Sequence, residues 1–375
     1  MKFNVSSTNL FQHLQAVSRV VVASKNSLSI LECVLFDLNG NTLTLTASDG
    51  ETTIRTSLDV DNAEGLGKVA FEAKLMIDTL KEFPEQPLTF NIDDQTFALN
   101  ITSANGTYTF FGSNGNEYPE MPALEEENHT FSIAANTLLG AINKTIFCTA
   151  DEELRPVMNG INFDLQADHL TLVATDAHRL VRYNNNTIYS EVPVSFILPK
   201  KPANLLRSVL AKEDGDVVVT FGQSSAKFEF GRTFIMCRQI EGRYPNYNGV
   251  IPQNNNNIIT VDRQTLLNAC KRVAVFANTG TAQIKLSISE NSINISAQDI
   301  DFSTSAEETI ACSYEGGPIN IGFKAPFLID LLGYTDSAEV ELRLADSARA
   351  GLIVPVEQPA NEEILMLLMP MLLND

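Results

Sequence analysis

The sequence predicts an α+β protein built from three tandem similar domains, each with two helices and about eight mostly antiparallel strands. Three recurring markers carry the prediction. Asn9-Leu10, Thr137-Leu138-Leu139 and Thr265-Leu266-Leu267 open three similar helical stretches, with Leu10, Leu138 and Leu266 spaced 128 residues apart. Ala47-Ser48-Asp49, Ala174-Thr175-Asp176 and Ala297-Gln298-Asp299 follow, and then Glu72-Ala73-Lys74, Leu198-Pro199-Lys200 and Gly322-Phe323-Lys324. One third of a 375-residue chain is about 125 residues. That is far longer than a solenoid repeat and matches an independent domain. The expected domains are residues 1–121, 128–250 and 257–375.

Each element has a local reason. The first copy opens with a strand, Met1 to Val5. Ser6 or Ser7 then caps a helix whose apolar stripe, Leu10, Leu14, Val17 and Val20, has helical spacing. Val34–Leu38 and Leu43–Ala47 alternate as strands around a turn at Asn39-Gly40-Asn41, a hairpin signal. Strands are expected over Thr52–Leu58 and Val69–Glu72, then a second helix over 73–82, then strands over Leu88–Ile92, Thr96–Ile101 and Thr107–Phe111. The later copies place helices near 134–149, 199–212, 263–278 and 324–335. Helices covering one sheet face make a layered α+β arrangement. The joints repeat as well. Tyr118-Pro119-Glu120-Met121-Pro122 ends copy one, and Tyr244-Pro245 with Pro252 ends copy two, so both are expected to be extended and semi-rigid. The asparagine run 254–257 is expected to be exposed loop.

Composition bounds the function. A hydrophobic content of 44% and a charged content of 19% are those of an ordinary globular protein. No apolar run approaches the roughly 20 residues that span a bilayer, and the N-terminus lacks the long apolar core of a secretion signal, so a cytoplasmic protein without membrane contact is expected. The five cysteines are scattered, without a Cys-x-x-Cys pair, and are expected to be buried free thiols.

The net charge of −20 argues in bulk against a polyanionic partner. Its distribution argues the other way. The six expected helical segments, taken from residue 7 to 25 in the first, hold thirteen basic residues and three acids. The rest of the chain holds thirteen basic residues and 43 acids. Helix propensity favours Glu about as much as Lys, so propensity does not explain the missing acids. Helices lining one surface would make it positive inside an acidic shell, which lies beyond a Debye length of ~8–10 Å and is screened. Such a surface contacts phosphates irrespective of base sequence. Without aromatic–basic stacking motifs, duplex is favoured over single strand.

Catalytic signatures are missing. Gly67-Lys68 has Asn62 where a phosphate-binding loop needs its first glycine, and Val69 follows. There is no His-Glu-x-x-His, Gly-x-Ser-x-Gly or Gly-x-Gly-x-x-Gly. Asp176 and His178 could pair across one strand face, but Asp49 and Asp299 hold the same position without a histidine nearby. The repeated aspartate is therefore expected to be a turn or cap residue. No enzyme, cofactor or metal is expected. The apolar ending Ile364–Leu373 should supply a last strand over Ile364–Leu368. Pro370 then breaks pairing, so Met369, Met371 and Leu373 pack elsewhere or await a partner.

The three-copy layout, the Ala-Thr-Asp-Ala-His-Arg-Leu stretch at 174–180 and the Met369-Pro370-Met371 ending resemble the bacterial DNA sliding clamps, the β subunit of DNA polymerase III. The resemblance covers the whole chain. It implies a head-to-tail homodimer forming a six-domain ring, with helices inside and sheet outside, that encircles duplex DNA without catalysis and tethers the replicative polymerase. The clamp loader and other clamp-motif proteins are implied partners too. By the same resemblance, partner peptides enter a groove at Arg155, Met158, Thr175, His178, Arg179, Leu180, Pro245, Val250, Leu367, Met369, Pro370 and Met371, with His178 and Arg179 as its polar rim. Lys25 matches a DNA-touching position, with Lys74, Lys81, Lys200, Lys201, Lys271 and Arg272 as helpers. Phe110 and Phe111 would meet Val275 and Phe276 of the second subunit at the ring joint. Asn248-Gly249 and Leu372 stand where relatives often carry arginines. An acidic scaffold using the same apolar tail without a DNA channel is the alternative, and a hydrolase built on Asp176 and His178 a remote third.

Overall fold

The computed structural model describes residues 1–21, 28–121 and 124–373. Among them the chain forms six α-helices, α1 (Ser7–Val17), α2 (Ala73–Leu80), α3 (Ala135–Thr145), α4 (Lys200–Leu210), α5 (Arg263–Ala274) and α6 (Ala325–Gly333), with 26 strands, all paired antiparallel. The α+β, three-copy arrangement is present, with helix ends at the expected residue or up to four residues inside it where both ends are described. Ser6 is the cap of α1: its hydroxyl accepts from the Asn9 N–H at 3.1 Å, while Ser7 is buried and donates to the Pro84 carbonyl at 2.8 Å. The stripe Leu10, Leu14, Val17 and Val20 is fully buried, and so are Leu138 and Leu266.

The chain folds as two compact units, Met1–Leu139 with Lys201–Gln239, and Gly140–Lys200 with Ile240–Asp375. Each unit holds one long sheet in which strands of two successive copies pair. In the first unit, nine strands run in the order Ser113–Asn114, Gly67–Glu72, Cys33–Asn39, Thr42–Ser48, Thr52–Asp59, Thr233–Arg238, Ser225–Phe230, Asp216–Phe221 and His129–Ala134. In the second, eight run in the order Val194–Pro199, Gly160–Leu165, Leu170–Thr175, Arg179–Asn185, Glu362–Leu368, Gly351–Pro355, Glu339–Leu344 and Asn257–Asp262. The joining ladders match: Thr53 faces Met236 in one, and Leu180 faces Leu367 in the other. The first unit also carries a five-stranded sheet ending at the edge strand Thr107–Phe111. The second carries a four-stranded sheet ending at the edge strand Thr304–Ala311. Helices α1 and α2 pack together in the first unit, as α5 and α6 do in the second.

The recurring aspartates are turn residues. Asp49 Oδ1 accepts from the N–H groups of Glu51 and Thr52 at 2.9 and 2.7 Å. Asp176 does the same for His178 and Arg179 at 3.0 and 2.9 Å, and Asp299 for Asp301 and Phe302 at 3.0 and 3.2 Å. The same side chain therefore closes the same hairpin turn three times.

Three expectations need correction. The hairpin after Cys33–Asn39 turns on Gly40-Asn41, one residue later than the Asn-Gly pair, because Asn39 already pairs with Thr42. Gly40 supplies the positive φ of +57°. Asn254–Asn257 is not simply exposed loop. Asn255 is buried and donates to the carbonyls of Arg343 and Ala350, both at 2.9 Å, while Asn257 starts a strand and donates to the Leu344 carbonyl at 3.1 Å. Their carboxamides tie this segment to carbonyls at Arg343, Leu344 and Ala350, near the ends of the neighbouring strands. The second joint is folded rather than simply extended, with a short 3-10 turn at Tyr247–Val250, whereas Tyr118 of the first joint is extended, after a 3-10 turn at Gly115–Glu117. All five cysteines are free. Cys148, Cys237 and Cys270 are buried, and burial pushes the thiols of Cys237 and Cys270 up to about 12; Cys33 and Cys312 are half-buried.

Candidate functional site

In the second unit, the central ladder of the eight-stranded sheet presents an apolar floor. Val173, Leu180, Leu367, Leu365, Leu352 and Val354 cluster there, and Tyr247, Ile251 and Tyr244 of the second joint pack on them. Alternation along antiparallel strands puts every second residue on that face, which is why Leu180 and Leu367 meet directly across the ladder. The joint is pinned by the Tyr247 hydroxyl, which donates to Asp164 Oδ2 at 2.7 Å; burial pushes that phenol well above its ordinary value. Val250 is 59% exposed beside this floor and Met369 is 44% exposed, so apolar surface is left open to a partner.

The tail frames the same face. The last strand ends at Leu368, as expected. The Met369 N–H then donates to the His178 carbonyl at 2.9 Å, and the Met371 N–H to the Gly322 carbonyl at 2.8 Å. Met371 is therefore already held as an isolated bridge on an edge strand, beyond the break at Pro370. Gly322 is required here, since a Cβ on it would lie 2.9 Å from the Met371 carbonyl oxygen and 2.5 Å from Gln283 Nε2. Gln283 Nε2 in turn donates to the Leu372 carbonyl at 3.0 Å.

Of the site residues expected from sequence, Leu180 and Leu367 are buried in the floor. Pro245 and Met158 are half-buried, as are Pro370 and Met371 in the tail. Thr175 is buried, its hydroxyl donating to the Arg179 carbonyl at 2.7 Å. His178 is exposed, with its ring 5.9 Å from that of Phe327. Arg155 is exposed and paired with Glu152 at 2.8 Å. Arg179 is not a rim residue. It is only 8% exposed, with Nε 2.9 Å from Asp176, Nη1 2.7 Å from Asp330 and Nη2 3.1 Å from the Phe147 carbonyl, and it lies over the Phe327 ring at 4.6 Å. Burial alone would depress its charge, but the Asp330 bond and the other anionic neighbours outweigh it, and the guanidinium is held above its ordinary value. It is a strut beneath the face, because one guanidinium fork can satisfy two carboxylates and a carbonyl at once.

Asp176 spends its oxygens on backbone N–H groups and on Arg179, so it forms no dyad with His178. Among the described residues, no group of three or more His, Cys, Asp or Glu is placed to hold a metal, and no helix is long and apolar enough to cross a membrane.

The basic residues of the helices are less bare than the sequence suggests. Lys74 and Lys81 both reach Asp78, at 2.6 and 3.1 Å, and hold its carboxyl below the usual range. Lys200 pairs with Asp151 at 2.6 Å, Lys201 with Asp49, and Arg272 Nε donates to Glu308 at 3.0 Å. Acids on strands and loops supply most of these partners, which a count along helices does not see. Lys271 is exposed with no acid partner among the described residues, and Lys25 lies outside them. In the first and third copies, Phe111 is 78% and Val275 79% exposed, Phe276 is 41% exposed and Phe110 is half-buried.

Sequence reasoning placed the Tyr244-Pro245 joint but missed Tyr247, Ile251, Leu352 and Val354. A signal existed: Gly351–Pro355 is an unbroken apolar run, which marks a strand covered on both faces.

Fold and face together define a three-copy α+β protein with an apolar face where strands of its second and third copies join. Family models of the DNA polymerase III beta subunit match it throughout: the N-terminal domain at residues 1–122, the central domain at 132–246 and the C-terminal domain at 248–372. The chain belongs to the DNA polymerase III beta-subunit family. It is 28% identical over 375 residues to the beta sliding clamp of Pseudomonas aeruginosa, covering 99% of this chain and 100% of the relative. To the beta sliding clamp of Bacillus subtilis it is 25% identical over 380 residues, covering 99% of each. Its fold matches the crystal structure of the DNA polymerase III subunit beta from P. aeruginosa with a TM-score of 0.93, at 27% identity over 100% of both chains.

Proposed function

We infer that this protein is a DNA polymerase processivity clamp: a head-to-tail homodimeric ring that encircles duplex DNA, slides without sequence preference and tethers the replicative polymerase and other clamp-motif proteins. The observation that carries the reading is the full-length family match, which falls in three consecutive parts on a chain whose fold recurs three times. The chain acts without catalysis, as a topological tether. The three domains are residues 1–121, 128–250 and 257–375.

Partner peptides dock on the apolar face at the second joint. The floor of Leu180 and Leu367, the open Val250 and the tail Met369-Pro370-Met371 support this, since adaptable methionines beside a rigid apolar floor suit short hydrophobic segments. Arg155, Met158, Thr175, His178 and Pro245 border it, and Arg179 holds its underside. The ring closes where Phe110 and Phe111 of one subunit meet Val275 and Phe276 of the other, through the edge strands Thr107–Phe111 and Thr304–Ala311.

DNA contact is electrostatic, through Lys25, Lys74, Lys81, Lys200, Lys201, Lys271 and Arg272. Exposed ion pairs such as those at Asp78 and Asp151 are weak and salt-screened, so a phosphate competes for these cations. Charge reversal at Lys74, Lys200 and Lys271 together should lower duplex affinity and flatten its dependence on salt by about 2–3 in the log–log slope, roughly 0.9 per phosphate contact. Fluorescence anisotropy across a salt series checks this. An unchanged slope would remove these lysines from the DNA surface.

A further inference from the structure

The first joint has the same construction as the second. Tyr118 and Tyr244 occupy matching places: Tyr118 is buried, its hydroxyl accepting from the Ser48 N–H at 3.0 Å and donating to the Cys33 carbonyl at 3.3 Å. The matching ladders, Thr53 with Met236 and Leu180 with Leu367, fix the correspondence residue by residue. Beneath the Tyr118–Met121 segment lies a cavity of about 360 Å³, whose charged and hydroxyl lining includes Thr46, Ser48, Thr53, Arg55, Lys68 and Glu120.

The backbone is shared but the chemistry is inverted. Val173 of the second joint corresponds to Thr46, Leu180 to Thr53 and Leu352 to Lys227. One replacement is decisive. Arg182 and Arg55 are equivalent, and Arg182 is paired with Glu363 at 2.9 Å. The position equivalent to Glu363 is Arg232, which pairs elsewhere, with Asp59 at 2.7 Å. Arg55 is thereby left without an ion-pair partner among the described residues, Glu120 lining the same cavity without bonding to it. Its Nε donates to the Thr46 hydroxyl at 3.0 Å, and its guanidinium lies 5.5 Å from the centre of the Phe234 ring, on which Lys227 also sits at 4.8 Å. The remaining donors of a half-buried guanidinium call for an anionic acceptor with bidentate geometry.

We propose that the first joint is a second docking groove, specific for an extended acidic peptide segment whose carboxylate seats on Arg55 between the Thr46, Ser48 and Thr53 side chains. The comparison rests on the reading of the second joint as a peptide groove. Charge complementarity selects the occupant: an apolar segment would leave the remaining guanidinium donors of Arg55 desolvated without compensation.

The test uses the full-length protein and two fluorescein-labelled probes, a Gly-Ser-Glu-Ser-Glu-Ser-Gly peptide and a hydrophobic clamp-motif peptide. Saturable binding of the acidic probe is expected, weakened about tenfold or more by Arg55→Gln and by Thr53→Leu, which restores the residue type of the second joint. Arg182→Ala and removal of residues 369–375 should leave the acidic probe unaffected, and Arg55→Gln should leave clamp-motif binding unchanged, which also reports an intact fold. No saturable binding to the unmodified protein, or equal affinity in both first-joint variants, overturns the proposal while leaving the second joint untouched. So does full displacement by inorganic phosphate at matched ionic strength, which would make the site an anion pocket rather than a peptide groove. Failure of the clamp-motif probe on the unmodified protein would instead overturn the reading of the second joint.

Discussion

Removing residues 369–375 should weaken binding of a clamp-motif peptide about thirtyfold or more while leaving the dimer and the melting temperature nearly unchanged. The described part of the tail, residues 369–373, is bonded through the Met369 and Met371 N–H groups and the Leu372 carbonyl, so little loss of stability is expected on removing it. It frames one side of the apolar floor, however, and buried anchors of this kind account for about 2 kcal/mol or more each when truncated. Leu367→Ala is a poorer probe, because Leu367 is buried in the sheet and its truncation also opens a cavity. Titration calorimetry with the truncated and full-length proteins reads the difference. Equal affinities would move the docking site away from the second joint.

The second large effect concerns the ring joint. Phe111→Asp combined with Val275→Asp should convert the dimer to monomer at micromolar concentration with each monomer still folded. Both side chains are more than three-quarters exposed in the single chain, so the substitutions cost its core nothing. In a head-to-tail assembly each joint takes Phe111 from one subunit and Val275 from the other, so the pair of changes places two carboxylates in both joints at once. Buried without partners, such charges oppose association by several kcal/mol. Sedimentation velocity distinguishes the outcomes, and an unshifted dimer would place the interface elsewhere.

Much of this was legible in the sequence, and the reasons are physical. A backbone period shared by three copies leaves the same side chains at the same structural positions: Leu10, Leu138 and Leu266 are all fully buried, and Asp49, Asp176 and Asp299 all close the same turn. Alternation and helical spacing located the strands and helices because each element has one covered face. What stayed hidden depends on contacts between segments far apart in sequence. Arg179 looks like a polar rim residue beside His178, and only the approach of Asp330, 151 residues away, turns it into a buried strut. Asn255 looks like loop until the carbonyls of Arg343 and Ala350 are brought to it. The helical cations look bare until Asp151, Asp49 and Glu308 arrive from other elements. The apolar floor was half seen, because the family resemblance supplied Leu180 and Leu367, whereas Leu352 and Val354 lie in a run with no marker of its own.

The central claim is topological, and retention on DNA tests it most directly. The protein is loaded onto nicked circular duplex by its clamp loader and passed through a sizing column in high salt. It should then travel with the circles, and should be released when a single restriction cut makes them linear. Electrostatic contact alone is dissolved by salt on either substrate, whereas a closed ring leaves only over a free end. Equal loss from circular and linear DNA, or equal retention on both, would contradict an encircling clamp.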